Sequence, residues 1–456
     1  MLKKPPSQQT AIEMVTLDSL VPMDHLLRRI DAVIDFSFIH DLVADLYCPD
    51  NGRPALDPVL MFKALFIGYL FGIRSERQLA REIEVNVAYR WFLGLKLTDR
   101  VFDASTLSQN RRRRYRDTRV AQAIFDQIVE QAIAHGLVDG TVLYTDSTHL
   151  KANANKNRYD KAVVVKSRSD YWDDLDTAIN EDRVVRGKKP LKKRERKPVE
   201  KETKISRTDP EAGYMVRDGK PKGFFYLDHR TVDGKLAIIT DTHATPANVH
   251  DSIVYLERLD RQQARFGFDP KAVGLDAGYA TTGIAKGLED RDVLGVTGYR
   301  NPTPPRPGMM RKSKFIYEPQ HDGYRCPQGQ MLSYATTGRN GYRHYTSDPA
   351  ICKTCPLLAS CTTNTKAQRT IARHVWADSR ERTDSHRLQP WGKAIYKRRK
   401  ETVERSFADA KQLHGHRYAR FRSLTRVACQ CLLAATAQNI KKIANTMAQR
   451  PQTKPA

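Results

Sequence analysis

Apolar residues recur at helical spacing through residues 1–135, and this pattern predicts a mostly helical N-terminal region. Asp57-Pro58 is predicted to begin a helix at Val59, with proline in the first turn, where its missing N–H costs nothing. Ser75 is predicted to cap a second, amphipathic helix, SERQLAREIEVN. The two helices and their turn form a helix-turn-helix-like unit, which is a weak signal because most helical hairpins bind nothing.

Short β-rich runs alternate with helical patterns from about residue 140. The predicted strands are Val142–Tyr144, Phe224–Val232, Leu236–Thr240, Lys271–Leu275 and Val293–Thr297, and the predicted helices are Val249–Phe266 and Thr281–Arg291. Asp233-Gly234 is expected to join the second and third strands as a hairpin. The predicted fold class is therefore α/β, a mixed sheet that carries helices, preceded by an all-α domain.

Two segments interrupt the predicted core. Arg183–Lys204 holds eleven basic residues against three acidic ones without apolar periodicity, and it predicts a solvated, mobile insertion over about 160–210. Asn301–Ala377 is rich in proline, glycine and threonine and contains four clustered cysteines. A long basic helix, Lys393–Leu413, and a C-terminal helix from about Leu424 to Ala448 are predicted to follow. The predicted domains are 1–135, helical; 136–300 with 378–424, the α/β core; 301–377, the cysteine-rich insertion; and 425–456, a helix and tail.

The net charge of the chain indicates what kind of partner it binds. Its 456 residues include 77 Lys and Arg against 52 Asp and Glu, a formal net charge of +25. This excess indicates a polyanionic partner, nucleic acid first and an anionic membrane surface second. The N-terminus lacks the apolar run of a signal peptide, and the longest apolar stretch, Val59–Ile73, is interrupted by Lys63. Secreted and membrane-spanning classes are therefore excluded and a cytoplasmic protein is expected.

Two aspartates each follow a short apolar run, Asp146 in VLYTDST and Asp276 in AVGLDAGYA. Strand ends of open α/β sheets are where ligand crevices form, and a carboxylate placed directly after buried residues is costly unless it is paired or holds a cation. A turn or helix-cap aspartate is the plain alternative for each residue. Two such residues on separate strands of one sheet favour a cation site.

Glu404, in ETVERSFADAK, supplies a third carboxylate on one helix face with Lys411. In isolation this is a salt-bridged surface helix. Together with Asp146 and Asp276, Glu404 would hold two Mg²⁺ or Mn²⁺ ions roughly 4 Å apart, which activate a water or hydroxyl at a phosphodiester. The surrounding cations would bind the nucleic acid backbone. The run Arg111, Arg112, Arg113 and Arg114 predicts a phosphate-contacting stripe, for which a solvated charged face is the competing explanation.

A second group of candidate ligands consists of Cys326, Cys352, Cys355 and Cys361. Cys326 begins a CPxG motif, and 25 residues separate it from Cys352, the first cysteine of a C-x2-C-x5-C motif. Four thiolates in this pattern suit a tetrahedral Zn²⁺ ion. The ion would be structural, because a small loop-rich module usually needs a metal ion or a cross-link to be stable. Unliganded thiols in an ordinary insertion are the alternative. The pattern therefore predicts a possible structural zinc ion.

Several motifs together resemble one family. YTDST with KANANK, GLDAGY and ETVERSFADAK are similar to the DDE triad of bacterial insertion-sequence transposases, which have an RNase H-like catalytic domain. The segments GRPALDPVLMFKALFIGYLFGIRSERQLAREIEVNVAYRWFLGL, DASTLSQNRRR and ATPANVHDS, and the position of the cysteine cluster, are similar to the same group. The resemblance covers nearly the whole chain in the right order. It implies that Asp146, Asp276 and Glu404 are catalytic and bind two Mg²⁺ or Mn²⁺ ions.

One departure from the family concerns the helix of the glutamate. Related transposases often carry Tyr, Arg, Glu and Lys at fixed steps, and Lys411 stands correctly relative to Glu404. Tyr396 and Arg399 lie one residue too far upstream, and Lys400 occupies the expected arginine position. Arg399, Lys400 and Lys411 are the residues predicted to contact DNA on this helix. Rival carboxylates for metal binding are Glu401, which has no lysine at the matching step, and the weaker candidates Asp241 and Asp251.

The function expected from the resemblance is metal-dependent cleavage and strand transfer of an insertion element. The N-terminal helical unit and the basic segments would bind the terminal inverted repeats, a homodimer would pair the two ends, and target DNA would be the second partner. The expected location is the cytoplasm, on the nucleoid. A DNA-binding regulator without cleavage and a metal-dependent nuclease that does not join strands are the alternatives.

Overall fold

The computed structural model describes residues 12–48, 55–166, 171–192, 199–216, 222–299 and 306–450. The N-terminal region is helical, as predicted, with α1 Leu17–Leu20, α2 Leu26–Asp31, α3 Phe38–Val43, α4 Pro58–Leu70, α5 Glu76–Val85, α6 Val87–Leu93, α7 Ala104–Arg113 and α8 Arg119–Ala134. The cap predicted at Ser75 is present, since its side chain accepts a hydrogen bond from the backbone N–H of Gln78, and the Asp57 side chain accepts one from Leu60 in the same way. The predicted absence of a signal peptide concerns residues that lie outside the described ranges.

A six-stranded mixed sheet forms the α/β core. The elements of this region are β1 Val142–Lys151, β2 Tyr159–Lys166, α9 Tyr171–Val185, β3 Val199–Ser206, β4 Gly213–Met215, β5 Gly223–Asp233, β6 Ile239–Pro246, α10 Asp251–Phe266, β7 Ala272–Leu275, α11 Thr282–Glu289 and β8 Leu294–Thr297. Strands β1, β7 and β8 run parallel to one another, and β5 pairs antiparallel with β1, β6 and β4. The order β6-β5-β1-β7-β8 is the RNase H-like arrangement that the resemblance implied.

Two strands differ from the prediction. Strand β1 continues past Asp146, because it stays paired with β5 as far as Lys151 opposite Phe225. Its parallel pairing with β7 does end at Thr145 opposite Leu275, so Asp146 lies at the end of the parallel section rather than at the end of the strand. Strand β6 begins three residues later than predicted, because Ala237 takes a left-handed backbone conformation (φ 56°) that breaks the strand pattern.

The insertion predicted over about 160–210 contains regular structure. Strands β2 and β3 form a two-stranded antiparallel ribbon, and α9 buries Leu175 and Ile179 against Val375. The prediction missed α9 because its burial comes from a distant segment and not from a long apolar periodicity of its own. Residues 167–170 and 193–198, which hold part of the basic run, lie outside the described residues.

The cysteine-rich region is a five-stranded antiparallel sheet in the order β13-β12-β11-β10-β9. Its elements are β9 Ile316–Glu318, β10 Gly323–Arg325, β11 Met331–Thr337, β12 Tyr342–Thr346, α12 Pro349–Cys352, α13 Leu358–Cys361 and β13 Thr370–His374. A small core of Phe315, Tyr324, Leu332, Tyr345 and Ile371 holds the sheet together. Four 3-10 turns occur in the described chain, Ala44–Leu46, Ala277–Tyr279, Lys312–Lys314 and Pro319–His321.

Four helices complete the chain, α14 Ala377–His386, α15 Pro390–Arg398, α16 Val403–Leu413 and α17 Leu424–Gln449. The single helix predicted over Lys393–Leu413 is wrong, because a turn separates α15 from α16 and Thr402 leaves the helical conformation (φ −105°, ψ −96°). The predicted C-terminal helix is confirmed as α17. It packs against α2, α4, α8 and β6, so one continuous hydrophobic core joins the N-terminal helices to the sheet. Within the described ranges, no helix combines the length and the apolar character needed to span a bilayer.

Candidate active site

The three predicted carboxylates converge on one buried guanidinium, that of Arg399. Its Nη2 lies 2.8 Å from Asp146 Oδ2. Its Nη1 lies 3.7 Å from Asp276 Oδ1 and 3.7 Å from Glu404 Oε1. The Arg399 side chain is only 4% exposed, whereas Asp276 and Glu404 are about half exposed, at 50% and 46%. The structure thus brings the predicted triad together around a cation at the surface of the sheet.

The sheet register explains why the two aspartates meet. Thr145 pairs with Leu275 at the end of the parallel section, and Asp146 and Asp276 are the next residues on their chains. Because parallel strands end at the same edge, both carboxylates emerge side by side. Gly274 lies under this edge, where a Cβ would stand 2.7 Å from the ring of Tyr144, so the close approach of β1 and β7 requires glycine there.

Glu404 reaches the same edge from the first turn of α16. Helix α16 is anchored on the sheet by Val403 and Phe407, which pack against Tyr144 and Val232. A carboxylate in the first turn is favoured by the partial positive charge at a helix N-terminus. The buried apolar residues therefore set the direction from which Glu404 approaches the two aspartates.

The turn between α15 and α16 corrects the expectation about the arginine position. Lys400 was the residue at the family's arginine step, yet Lys400 is exposed and Arg399 reaches the carboxylates. Compared with related transposases, this chain has one more residue between the arginine and Glu404. That residue falls in the turn and not within a helix, so it does not rotate Arg399 away from the site. Arg399 Nη1 lies 3.5 Å from Tyr396 Oη, which places the tyrosine beside the site as well. Lys411, two turns beyond Glu404, is half-buried.

Gly298 makes room for this tyrosine. A Cβ at Gly298 would lie 2.7 Å from Tyr396 Oη and 2.8 Å from the backbone nitrogen of Ala277. These contacts are far shorter than van der Waals distances, so the end of β8, the phenol of Tyr396 and the residue after Asp276 are in direct contact only because residue 298 has no side chain.

Asp146 is a carboxylate with a raised pKa. Burial, together with smaller contributions from the charges of Asp276 and Asp251, raises the pKa of Asp146 to about 6 against the opposing effect of Arg399. The backbone N–H of Ser147 donates to Asp146 Oδ1 at 2.8 Å. A buried carboxylate that sits beside other acids is stabilised by a cation, which is the environment that a metal ligand requires.

Asp251 is a fourth carboxylate at the site. Ser147 Oγ donates to Asp251 Oδ1 at 2.8 Å, and His229 Nδ1 lies 3.7 Å from the same oxygen. Asp251 Oδ2 and Asp276 Oδ2 both lie within 4.0 Å of the point that a Cβ on Gly278 would occupy. The sequence ranked Asp251, in VHDS, only as a weaker rival for metal binding.

The other two rivals stand apart from the triad. Asp241 accepts from Arg258 at 2.5 Å and from Arg261 at 3.4 Å, so its oxygens are already engaged. Glu401 is exposed in the turn after α15. The choice of Glu404 over Glu401 therefore agrees with the geometry around Arg399.

A buried network connects the sheet to the helix of Glu404. Asp228 Oδ2 accepts from Arg230 Nε at 2.8 Å and from His416 Nε2 at 2.8 Å, and its other oxygen accepts from Thr242. Burial alone would raise the pKa of Asp228, but Arg230 and the hydrogen bonds from His416 and Thr242 outweigh it and hold the pKa well below its ordinary value. Arg230 in turn donates to Ser406, on α16.

Among the described residues, one group of three Asp, Glu, His or Cys side chains has all its donor atoms within 4.8 Å of one another. This group consists of Asp228, His416 and Cys431. The oxygens of Asp228 already accept hydrogen bonds from protein donors, and the positive charge of Arg230 lies beside them. This cluster therefore fits a structural hydrogen-bond network better than a metal site.

The four predicted zinc ligands occupy one end of the five-stranded sheet. Cys326 forms a tight turn with Gly329 and Gln330, as expected for a CPxG motif. Burial raises the pKa of the Cys361 thiol, Arg369 opposes this effect, and the charges of Cys352, Cys326 and Cys355 raise the pKa further. Within the described chain, no three of the four sulfur atoms lie within 4.8 Å of one another, so they are farther apart than the donor atoms of Asp228, His416 and Cys431.

The predicted arginine stripe divides into two pairs. Arg111 forms an ion pair with Glu76 and covers the ring of Phe421, and Arg114 covers the ring of Tyr47. Arg112 and Arg113 are exposed. An open groove of about 1810 Å³ lies beside α5 and α7 and is lined by five arginines, Arg77, Arg81, Arg100, Arg113 and Arg114. In the other basic segment, Arg183 and Arg186 bind Thr337 and Asp322, so these two residues contact protein.

Two family models match this chain, a Transposase domain (DUF772) over residues 15–113 and a Transposase DDE domain over residues 325–444. The second match contains Glu404 and the four cysteines, whereas Asp146 and Asp276 precede it. These two matches support a DDE transposase, an enzyme that acts on DNA.

A solved structure described as a piggyBac transposase synaptic complex with hairpin DNA is similar at 10% sequence identity and a TM-score of 0.27, covering 94% of this chain and 83% of that chain. No curated protein matches the sequence.

Proposed function

We propose that the chain cleaves DNA at the terminal inverted repeats of an insertion element and joins the freed ends to target DNA. The observation that carries this proposal is the convergence of Asp146, Asp276 and Glu404 around a single cationic group. Three carboxylates from separate elements at one sheet edge form a cation site that a plain surface ion pair does not explain.

The donor set fits Mg²⁺ or Mn²⁺, since both ions prefer carboxylate oxygens and the three side chains offer no other donor. Asp146, Asp276 and Glu404 would hold the two ions. When bound, these ions activate a water or a 3′-hydroxyl and stabilise the leaving oxygen. Asp146 is fixed by the hydrogen bond from Ser147, while the half-exposed Asp276 and Glu404 leave the site accessible to a DNA strand.

DNA contact is supported by the arrangement of the cations. The exposed Arg112 and Arg113 and the groove beside α5 and α7 provide positive charge on the N-terminal helices. Arg399 lies at the candidate active site, with Lys400 next to it in the turn and Lys411 two turns beyond Glu404, and all three would contact phosphates near the scissile bond. Inverted repeats occur as two ends, so we propose a homodimer that pairs them. A structural Zn²⁺ on Cys326, Cys352, Cys355 and Cys361 belongs to the same proposal.

The test is cleavage of DNA that carries the element's inverted repeats, with Mg²⁺, by the wild type and by Asp276→Asn. Asp269→Asn is the matched control, because Asp269 is exposed at the opposite end of β7. We expect strand-specific cuts and joined products from the wild type and the control, and binding without cutting from Asp276→Asn. Cutting without joining would identify a nuclease. Binding without cutting by all three proteins would identify a regulator and overturn the proposal.

A further inference from the structure

The position of Arg399 has a consequence for how the site accepts metal. A guanidinium within 4 Å of three carboxylates occupies the space between them, and divalent ions bound to the same oxygens need that space. Two cationic groups at one site repel each other strongly where water is excluded. Arg399 and the metal ions therefore cannot both hold their full set of contacts with the triad.

The side-chain contacts of Arg399 are incomplete. Of the three carboxylates, only Asp146 lies within hydrogen-bonding distance of Arg399, since the contacts with Asp276 and Glu404 are both 3.7 Å long. The Nε atom of Arg399 is buried and has no hydrogen-bond partner among the described residues. The buried Arg230 also has one unpartnered nitrogen, Nη2, but its other two nitrogens donate to Asp228, Ser406 and Gln438. Arg399 therefore makes fewer hydrogen bonds to other elements than Arg230, and its contacts with Asp276 and Glu404 are attractions between charges at longer range.

The side chain of Arg399 extends from a turn. Arg399 follows the last residue of α15 and lies in the turn before α16. Rotation about the side-chain bonds of Arg399 would withdraw the guanidinium while Ile395 of α15 and Val403 and Phe407 of α16 stay packed on one hydrophobic cluster.

We propose that Arg399 takes the place of the catalytic cation in the metal-free protein, where it holds the three carboxylates together, and that it withdraws when divalent metal binds. This inference rests on the proposed metal site. It assigns Arg399 a positioning role in the metal-free state, in addition to any contact with DNA.

The test is Mn²⁺ binding to the full chain without DNA, measured by electron paramagnetic resonance of the free ion. Arg399→Gln removes the charge, Arg399→Lys retains it, and Lys397→Gln is the control because Lys397 is an exposed cation two residues away. We expect Arg399→Gln to bind Mn²⁺ about tenfold more tightly than the wild type, since a competing cation is removed. Arg399→Lys and Lys397→Gln should remain close to the wild type.

Asp276→Asn separates the failure of this inference from the failure of the proposed function. If Asp276→Asn binds Mn²⁺ as well as the wild type does, the metal site itself is refuted. If Asp276→Asn weakens binding but Arg399→Gln binds no more tightly than the wild type, only the role of Arg399 is refuted.

Hydrogen exchange of the wild type decides the question if Arg399→Gln does not fold. Withdrawal of Arg399 predicts faster amide exchange over residues 399–402 when Mn²⁺ is added. Unchanged or slower exchange there would overturn the inference.

Discussion

Arg230 donates a hydrogen bond from Nη1 to Ser406 Oγ at 3.2 Å, two residues after Glu404. Gln438 on α17 connects the same two residues, since it accepts a hydrogen bond from Arg230 at 2.6 Å and donates one to the Ser406 backbone oxygen at 3.0 Å. The position of the third carboxylate along the sheet is therefore fixed by a buried ion pair on β5, on the side of α16 away from Arg399.

Arg230→Met should destabilise the protein strongly. Arg230 and Asp228 are both fully buried, so the substitution leaves Asp228 charged without its partner, at a cost of about 3–5 kcal/mol. Chemical denaturation followed by circular dichroism measures this loss. Adding Asp228→Asn to Arg230→Met should recover part of the stability, because the unpaired charge is removed. A double variant no more stable than Arg230→Met would show that the pair does not act through its charge.

Gly298→Ala should reduce DNA cleavage far more than it reduces stability. The added methyl group overlaps Tyr396 Oη and the Ala277 nitrogen, so it displaces groups beside Asp276. Misplacement of about 1 Å at a catalytic site costs on the order of 100-fold in rate. Gly223→Ala is the control, since a Cβ there meets only an ordinary contact at 3.5 Å. Equal cleavage rates for the two variants would contradict the proposed close approach.

His414 should make stability depend on pH below neutrality. Its Nδ1 donates to Tyr69 O at 2.8 Å, and burial lowers its pKa to about 4, with the hydrogen bond opposing the shift. As the pH falls, the unfolded chain takes up this proton first, near its ordinary pKa of about 6.5, so the contribution is present above that pH and is lost between about 6.5 and 4.

His414→Asn should flatten this part of the pH profile, because an asparagine amide can replace the Nδ1 donor but does not titrate. Urea unfolding at pH 7, 6 and 5 provides the comparison. His321→Asn serves as the control, since His321 is 70% exposed. A profile for His414→Asn that is as steep as that of the wild type would exclude His414 as the source.

Cys355→Ser should release zinc if the four cysteines bind it. Elemental analysis of the purified wild type is expected to give one zinc per chain, and the variant less, with a melting temperature lowered by several degrees. Cys48→Ser is the comparison, because Cys48 is outside the cysteine-rich sheet. A wild type free of zinc after preparation without chelators would remove the zinc assignment.

The sequence was most informative where short-range chemistry decides structure. Ser75 was recognised as a cap, and Asp57-Pro58 as a helix start, because a serine before an amphipathic run and a proline in the first turn are local signals. Asp146 and Asp276 were recognised as candidate metal ligands because a carboxylate directly after a buried strand costs free energy unless it is paired or holds a cation. The position of Asp146 within β1 was missed, since the length of that strand depends on pairing with the distant β5.

The relationship between Arg399 and the triad was beyond the reach of helical spacing. The motif steps of related transposases put Lys400 at the arginine position, but the chain turns between Arg398 and Val403, and Arg399 is the residue that reaches the carboxylates. The extent of α9 was hidden for a related reason, since its apolar face is covered by Val375 from another segment. Long-range packing decided both.

The shared core of α17 has a consequence for the order of events during synthesis. Residues of α17 complete the packing of α2, α4 and α8 as well as β6, so neither the N-terminal groove nor the sheet edge has its full support until α17 has left the ribosome. A nascent chain that still lacks α17 would hold the three carboxylates and the arginines without a fixed relationship. The candidate site would therefore take its final form only after translation has passed this helix, and a chain that ends before it would lack the packing that supports both regions.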